Sequence, residues 1–323
     1  VLELNWRPSA SREMLLLRAD VLKKIRDFFY ARNVSEVETP VLSQAAVTDL
    51  QLKSLTTRIT GQAINAYLQT SPEYPMKRLL AAHQLDIYQI CKAFRDDEVS
   101  RFHNPEFTIV EWYRLGFDHH ALMDEVEELL SLLLAPRLNI AAERITYAHA
   151  FERTLQIDPL QAPLSDLHAI AVERLGANSS SLGTERDTVL DLLMGALVGP
   201  TLGDKRITFV HSYPASQAAL ARLLPTDARL AARFEAYFCG VELCNGFHEL
   251  SDAKEQTARF EHDLVERRRH GLHEPPLDAR MLGALAAGLP DTAGVAVGLD
   301  RVLMLAADKG HISEVLNFAV DNA

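Results

Sequence analysis

Apolar residues recur at helical spacing near the start of the chain. Leu15, Val21, Leu22, Ile25, Phe28 and Phe29 fall on one side of a helix expected over 11–32, and Asn33 stops it. The next stretch, 34–42, has an extended pattern. Pro40 within it cannot donate a ladder hydrogen bond, which predicts a sheet edge. Dense apolar runs at 87–91 and 107–113 read as two strands around a polar loop, after a short helix over 75–82. Asp118 is placed to cap a helix carrying Leu122, Val126, Leu129, Leu130 and Leu133. From about 136 to 203, alanine, leucine and loop residues alternate, which reads as a helical insertion. Strands return at 207–213 and 234–243. Asp252-x-x-Glu255 is a capping box opening a helix to His270, with Gly271 just past its end, and Asp278 opens another that ends near Gly288 and Pro290. Strands arriving in hairpins with helices between them predict an α+β fold, an antiparallel sheet with helices packed on it. No internal repeat divides the chain, whose 323 residues suffice for one large domain or two ordinary ones.

Composition narrows the partners. Hydrophobic residues are 48% of 323, enough for a substantial core. Apolar runs such as 129–135 are too short to span a membrane, so no membrane partner is expected. Net charge is 33 − 44 = −11, whereas gripping a long nucleic acid calls for a basic face. The one compact basic run, Arg267-Arg268-Arg269, reads as a solvated helix end whose cations complement the dipole. Cys91, Cys239 and Cys244 give neither an even disulfide framework nor paired metal spacing, which fits a reduced, cytoplasmic compartment. His119-His120 reads as surface.

Three stretches carry candidate chemistry. In the loop after the first apolar strand, Arg95 could contact an α-phosphate bidentately, His103 the outer phosphates, and Phe107 could stack on a purine. The plainer reading is a polar hairpin with Phe107 in the core; the density of such residues favours a nucleotide site. Second, Glu235, Glu242 and Glu249 recur in an apolar strand setting, where a buried carboxylate needs a cation. A divalent ion or a lysine-like amine would serve; exposed strand carboxylates would need neither. Third, Gly294-Val295-Ala296-Val297-Gly298-Leu299-Asp300-Arg301 lets a backbone approach a ligand closely and places Arg301 at a helix start. No Walker loop, GxSxG elbow or HExxH is present.

These stretches, in this order, resemble a class II aminoacyl-tRNA synthetase core of the lysine type, over nearly the whole chain. Glu36-Val37-Glu38-Thr39-Pro40 resembles the first family signature, at the dimer interface. The loop ending His103-Asn104-Pro105-Glu106-Phe107-Thr108 resembles the second, and Gly298-Leu299-Asp300-Arg301 the third. Thr70-Ser71-Pro72-Glu73 and Asn245-Gly246-Phe247-His248-Glu249-Leu250 are similar to lysine-pocket segments. The resemblance implies a single catalytic domain over 1–323, used as a homodimer, that takes ATP and Mg2+. Arg95 and Arg301 would bind phosphates in catalysis. Asp96, Asp97, His103, Asn104, Phe107, Glu242, Leu243 and Gly298 would complete the ATP site, and Glu235 and Glu242 would hold magnesium. Glu73 would take the substrate's α- or β-ammonium, with Ser71 and Pro72 beside it. Glu111, Tyr113 and Glu249 would surround the side-chain ammonium and Asn245 the carboxylate, with Phe247 and Ala296 lining the pocket. The family usually has Arg-x-Glu where this chain has Arg95-Asp96-Asp97.

Two further features resemble free-standing paralogues of the lysyl enzymes, which attach (R)-β-lysine to a lysine of elongation factor P. The core begins near Ser11, leaving no room for an N-terminal anticodon-binding barrel. Ala296 stands where lysyl-tRNA synthetases resemble one another in having glycine. The resemblance implies (R)-β-lysine or lysine as substrate, elongation factor P as acceptor, and no tRNA. The alternatives are a minimal core charging RNA or a small amine, and a non-catalytic binding module.

Overall fold

The computed structural model describes residues 6–62, 64–96, 99–138, 140–178 and 182–323. Helix α1 (Arg12–Tyr30) starts where Ser11 accepts from the Met14 amide, and it buries Val21, Ile25, Phe28 and Phe29. Leu15, expected on that face, is exposed. Asn33 takes a positive φ of 55°, and the chain enters β1 (Ser35–Glu36), an edge strand. Strands β2 (Leu42–Ser43), β3 (Thr56–Ile59) and β4 (Ile64–Leu68) make a small antiparallel sheet of order β2-β4-β3. Helix α2 (Glu73–His83) leads into β5 (Ile87–Phe94) and β6 (Glu106–Leu115), paired antiparallel as the apolar runs predict. The Asp118 carboxylate accepts from the His120 and Ala121 amides to open α3 (His119–Leu134).

The stretch expected to be helical contains α4 (Tyr147–Leu155), α5 (Leu164–Leu175) and α6 (Arg186–Leu193), followed by a π-helical turn. It also contains β7 (Glu143–Thr146), which pairs in parallel with β8 (Thr208–Pro214). The remaining elements are β9 (Leu223–Leu224), β10 (Asp227–Phe238), β11 (Val241–His248), α7 (Ala253–Arg269), α8 (Ala279–Gly288), β12 (Thr292–Gly298) and α9 (Leu299–Ala306). The main sheet runs β1-β5-β6-β12-β11-β10-β8-β7, with β9 beside β10. Its interior is antiparallel, as expected, and only the outer pairs β1–β5 and β7–β8 are parallel.

Residues 234–243, expected as one strand, are two. Cys239 and Gly240 take φ of 51° and 73° and fold β10 back onto β11. Helices α1, α3 and α9 cover one face of the sheet, burying Phe29, Trp112, Leu122, Phe234, Val295 and Leu303 in the main core. Alternation turns Ile109, Glu111 and Tyr113 of β6 to the other face. There α2, α7 and α8 add a smaller core of Met76, Leu80, Phe260, Met281 and Leu285.

Three local expectations are corrected. His119 is buried at 4% exposure, and burial, with His120 beside it, pushes its pKa down to about 3, so the ring is neutral. Arg267 is buried too. It donates to the carbonyls of His273 (2.6 Å) and Asp49 (2.7 Å), tying the end of α7 to a loop, while Arg268 and Arg269 are solvated. Only the Asp252 half of the predicted capping box carries the cap, because Glu255 turns to Arg259 at 2.5 Å.

Candidate active site

Strand register lines up the predicted residues in rows across the sheet. One row runs Gln89, Glu111, Ala296, Asn245, Glu235 over β5, β6, β12, β11 and β10. The next, on the same face, runs Ile87, Tyr113, Gly294, Phe247, Arg233. Above these rows lies a cavity of about 1230 Å³. That is more than a single drug-sized ligand fills, and it leaves room for a nucleotide with a second substrate. Gly294 has to be glycine: a Cβ there would stand 2.3 Å from the Tyr113 ring and 2.7 Å from Glu249 Oε1.

At one end the wall is acidic. The Ser71 and Tyr113 hydroxyls each donate to Glu111 at 2.7 Å. The Lys77 ammonium lies 2.7 Å from Glu73 Oε1 and 2.6 Å from Glu249 Oε2. Glu111 and Glu249 are buried, at 2% and 1% exposure. Burial, with the charge of Glu73, pushes the Glu111 carboxyl up to about 8. Burial also raises Glu249 to about 8, against the opposing pull of Lys77. Burial disfavours the Lys77 ammonium, but Glu249 and Glu73 outweigh it and hold the pKa above its ordinary value. Glu249 Oε1 has no hydrogen-bond donor among the described residues. A buried acceptor in that state fits an incoming ammonium.

At the other end the wall is cationic and aromatic. The Arg95 guanidinium lies 5.2 Å from the centre of the Phe107 ring. Arg301 donates to the Glu242 carbonyl at 3.0 Å and contacts His103 Nε2 at 2.8 Å. Ser100 Oγ fixes the opposite nitrogen of that imidazole at 2.7 Å. The register shifts between Ala236 and Tyr237, and the extra residue on β11 turns Glu242 to the face that carries Glu235. Burial in the cavity wall and the charge of Glu235 raise the Glu242 pKa, with Arg301, Arg233 and Arg95 opposing. Glu235 is held by Arg233 and by the Tyr237 hydroxyl, both at 2.6 Å.

The cavity thus gathers Ser71, Glu73, Arg95, His103, Asn104, Phe107, Glu111, Tyr113, Glu235, Glu242, Leu243, Asn245, Phe247, Glu249, Ala296, Gly298 and Arg301. Two predicted residues are not brought to its wall. Asp96 turns outward to Lys53 at 2.5 Å, and Pro72 serves as the N-cap of α2. Asp97 lies outside the described residues. Asn104 lines the cavity, yet its amide is engaged by backbone, donating to the Glu106 carbonyl and accepting from the Val320 amide. Two residues of the site escape sequence reasoning: Lys77, buried behind the wall against Glu73 and Glu249, and Arg233, in the wall itself. Lys77 follows Glu73 by one helical turn, a spacing shared by many surface ion pairs. Arg233 stands two residues before Glu235 on one strand face, which is the available signal.

An antiparallel sheet whose cavity has an arginine-aromatic end and a carboxylate end defines a class II synthetase-type domain. The sequence model of the tRNA synthetases class II (D, K and N) matches residues 2–322, and the chain belongs to that family. Within it, the chain is similar to the elongation factor P–(R)-β-lysine ligase of Pseudoalteromonas translucida, with 51% identity over 98% of this chain and 98% of the relative. Ligases of the same name from Klebsiella pneumoniae (strain 342) and Salmonella typhimurium are 49% and 48% identical, over 99% of this chain and 98% of each relative.

Proposed function

We propose that this protein activates (R)-β-lysine with ATP as the aminoacyl-adenylate and transfers it to the ε-amine of a lysine on elongation factor P. The observation that carries the proposal is one cavity with an arginine-and-aromatic end and an end of three carboxylates, two of them buried. Relatives about half identical over their full length, named for this reaction, support it.

Arg95 and Arg301 would hold the phosphates, and Phe107 offers a ring face to the adenine. Glu111, Glu249 and Glu73 hold the two ammonium groups, with Asn245 at the substrate carboxylate. A carboxylate oxygen of the substrate then attacks the α-phosphorus in line, and pyrophosphate departs. Positioning and charge neutralisation carry the acceleration, with no protein nucleophile. The acceptor amine, deprotonated, then attacks the acyl carbon; AMP leaves, the amine loses a proton, and an amide forms.

The residues present fit a magnesium ion. Glu242 and Glu235 are neighbouring carboxylates beside Arg95 and Arg301, and burial, with the charge of Glu235, raises Glu242. Among the described residues no three histidine, cysteine or acidic side chains form a self-sufficient metal centre. A magnesium ion held by Glu235 and Glu242 would take its other ligands from phosphate and water and neutralise phosphate charge.

A homodimer belongs to the same reading. Leu15 and Leu16 of α1 and Val41 and Leu42 near the edge strand are exposed apolar residues of the kind an interface covers. The net charge of −11 favours a protein acceptor over tRNA. Three free cysteines suit a reducing cytoplasm. No helix among the described residues is long and apolar enough to cross a membrane. Amino-acid-dependent exchange of labelled pyrophosphate into ATP tests the activation step. (R)-β-lysine is expected to support exchange; no exchange with any diamino acid would refute the proposal.

A further inference from the structure

A buried cation backs the acidic end of the cavity. Lys77 reaches in from α2 with its side chain 1% exposed, and its ammonium is shared between Glu73 and Glu249. Glu111 of β6 completes the group, held by the Ser71 and Tyr113 hydroxyls. The other titratable groups facing this corner are Tyr74 of α2, Cys91 of β5 and Tyr113 of β6. Burial raises all three, and they stay uncharged. Three carboxylates against one ammonium leave the buried corner two positive charges short.

We propose that Lys77 is a positioning and specificity residue: by neutralising one of three carboxylates and tying Glu73 to Glu249, it sets a deficit of two that a substrate with two ammonium groups fills. The inference rests on the diamino acid reading above and deepens it. A monoamine would leave one buried carboxylate unpaired, the costly state that a satisfied pocket avoids. Removal of Lys77 would leave a deficit of three and untie both of its partners. The unfilled deficit also accounts for the proton affinity of the empty pocket. Glu111 and Glu249, both pushed to about 8, hold protons at neutral pH that the two ammonium groups displace.

Calorimetry on the wild-type protein decides the charge count. (R)-β-lysine is titrated at pH 7 in two buffers of different ionisation enthalpy. Release of about one to two protons per bound molecule is expected from the two raised carboxyls. Binding without release overturns the count alone, whereas no binding at all sinks the diamino acid reading itself. Variants test the residue. In pyrophosphate exchange, Lys77→Met should raise the KM for the diamino acid at least about tenfold while the KM for ATP stays near wild type. Adding Glu73→Gln, which restores a deficit of two, should recover about threefold or more of that loss. An unchanged amino acid KM in Lys77→Met, or no recovery in the double variant, overturns the proposal. If Lys77→Met does not fold, proton release by the wild-type protein still separates a deficit of two from none.

Discussion

In the proposed reaction, substrate choice turns on Glu249. It is 1% exposed, one oxygen meets Lys77, and the other has no donor among the described residues. Glu249→Gln keeps the shape and removes the charge, so exchange with lysine-like substrates should fall by about 10²-fold or more while the fold survives. Near-normal exchange in that variant would contradict the assignment. The raised carboxyls also give the pocket a pH signature. Below about pH 8, Glu111 and Glu249 carry protons that compete with the substrate. The KM for the diamino acid should therefore fall as pH rises from 6 to 8, by up to about tenfold per unit for each proton displaced. The same groups act on stability with a defined sign. Their folded pKa values exceed the ordinary 4.5, so the folded state binds the extra protons between roughly pH 4.5 and 8. Stability of the ligand-free protein should fall as pH rises through that window, read as a lower melting temperature at pH 8 than at pH 5. At this scale, Glu73, Glu111 and Glu249 are legible through motif resemblance. Lys77 is not, because its second partner lies far along the chain and only folding brings them together.

Elements are most legible where the pattern is strong and local. Caps at Ser11, Asp118, Asp252 and Asp278 fix four helix starts, since each oxygen accepts from amides within three residues. The turn at Cys239-Gly240 is hidden in the sequence because apolar residues continue through it and only backbone φ marks the reversal. Strand β7 is hidden because four residues beside a helical stretch carry no usable period. Helix α9 shows what one buried carboxylate does for an element. Asp300 accepts from the Thr108 amide of β6 at 2.6 Å and from Arg18 of α1 at 2.5 Å, tying three elements behind Arg301. Asp300→Ala would strand Arg18 and free the start of α9, at a cost of about 3–5 kcal/mol. The expected result is a clearly lower melting temperature together with a raised KM for ATP. An unchanged melting temperature would show that the tie contributes nothing to stability.

One sheet sets the spacing between the two ends of the cavity, in a chain that belongs to the class II (D, K and N) tRNA synthetases. Sheet order is not legible in the sequence. The hairpin β5–β6 is, but the insertion of β12 between β6 and β11 depends on long-range pairing that no local pattern encodes. That insertion sets Ala296 between Glu111 and Asn245, one strand from each, in the cavity wall. The measurement that tests the central claim most directly is the intact mass of elongation factor P after incubation with this protein, ATP and (R)-β-lysine. The account predicts a mass gain of one β-lysyl group, dependent on ATP and lost in Glu249→Gln. Unmodified elongation factor P, under conditions where the protein exchanges pyrophosphate with the same amino acid, would contradict it.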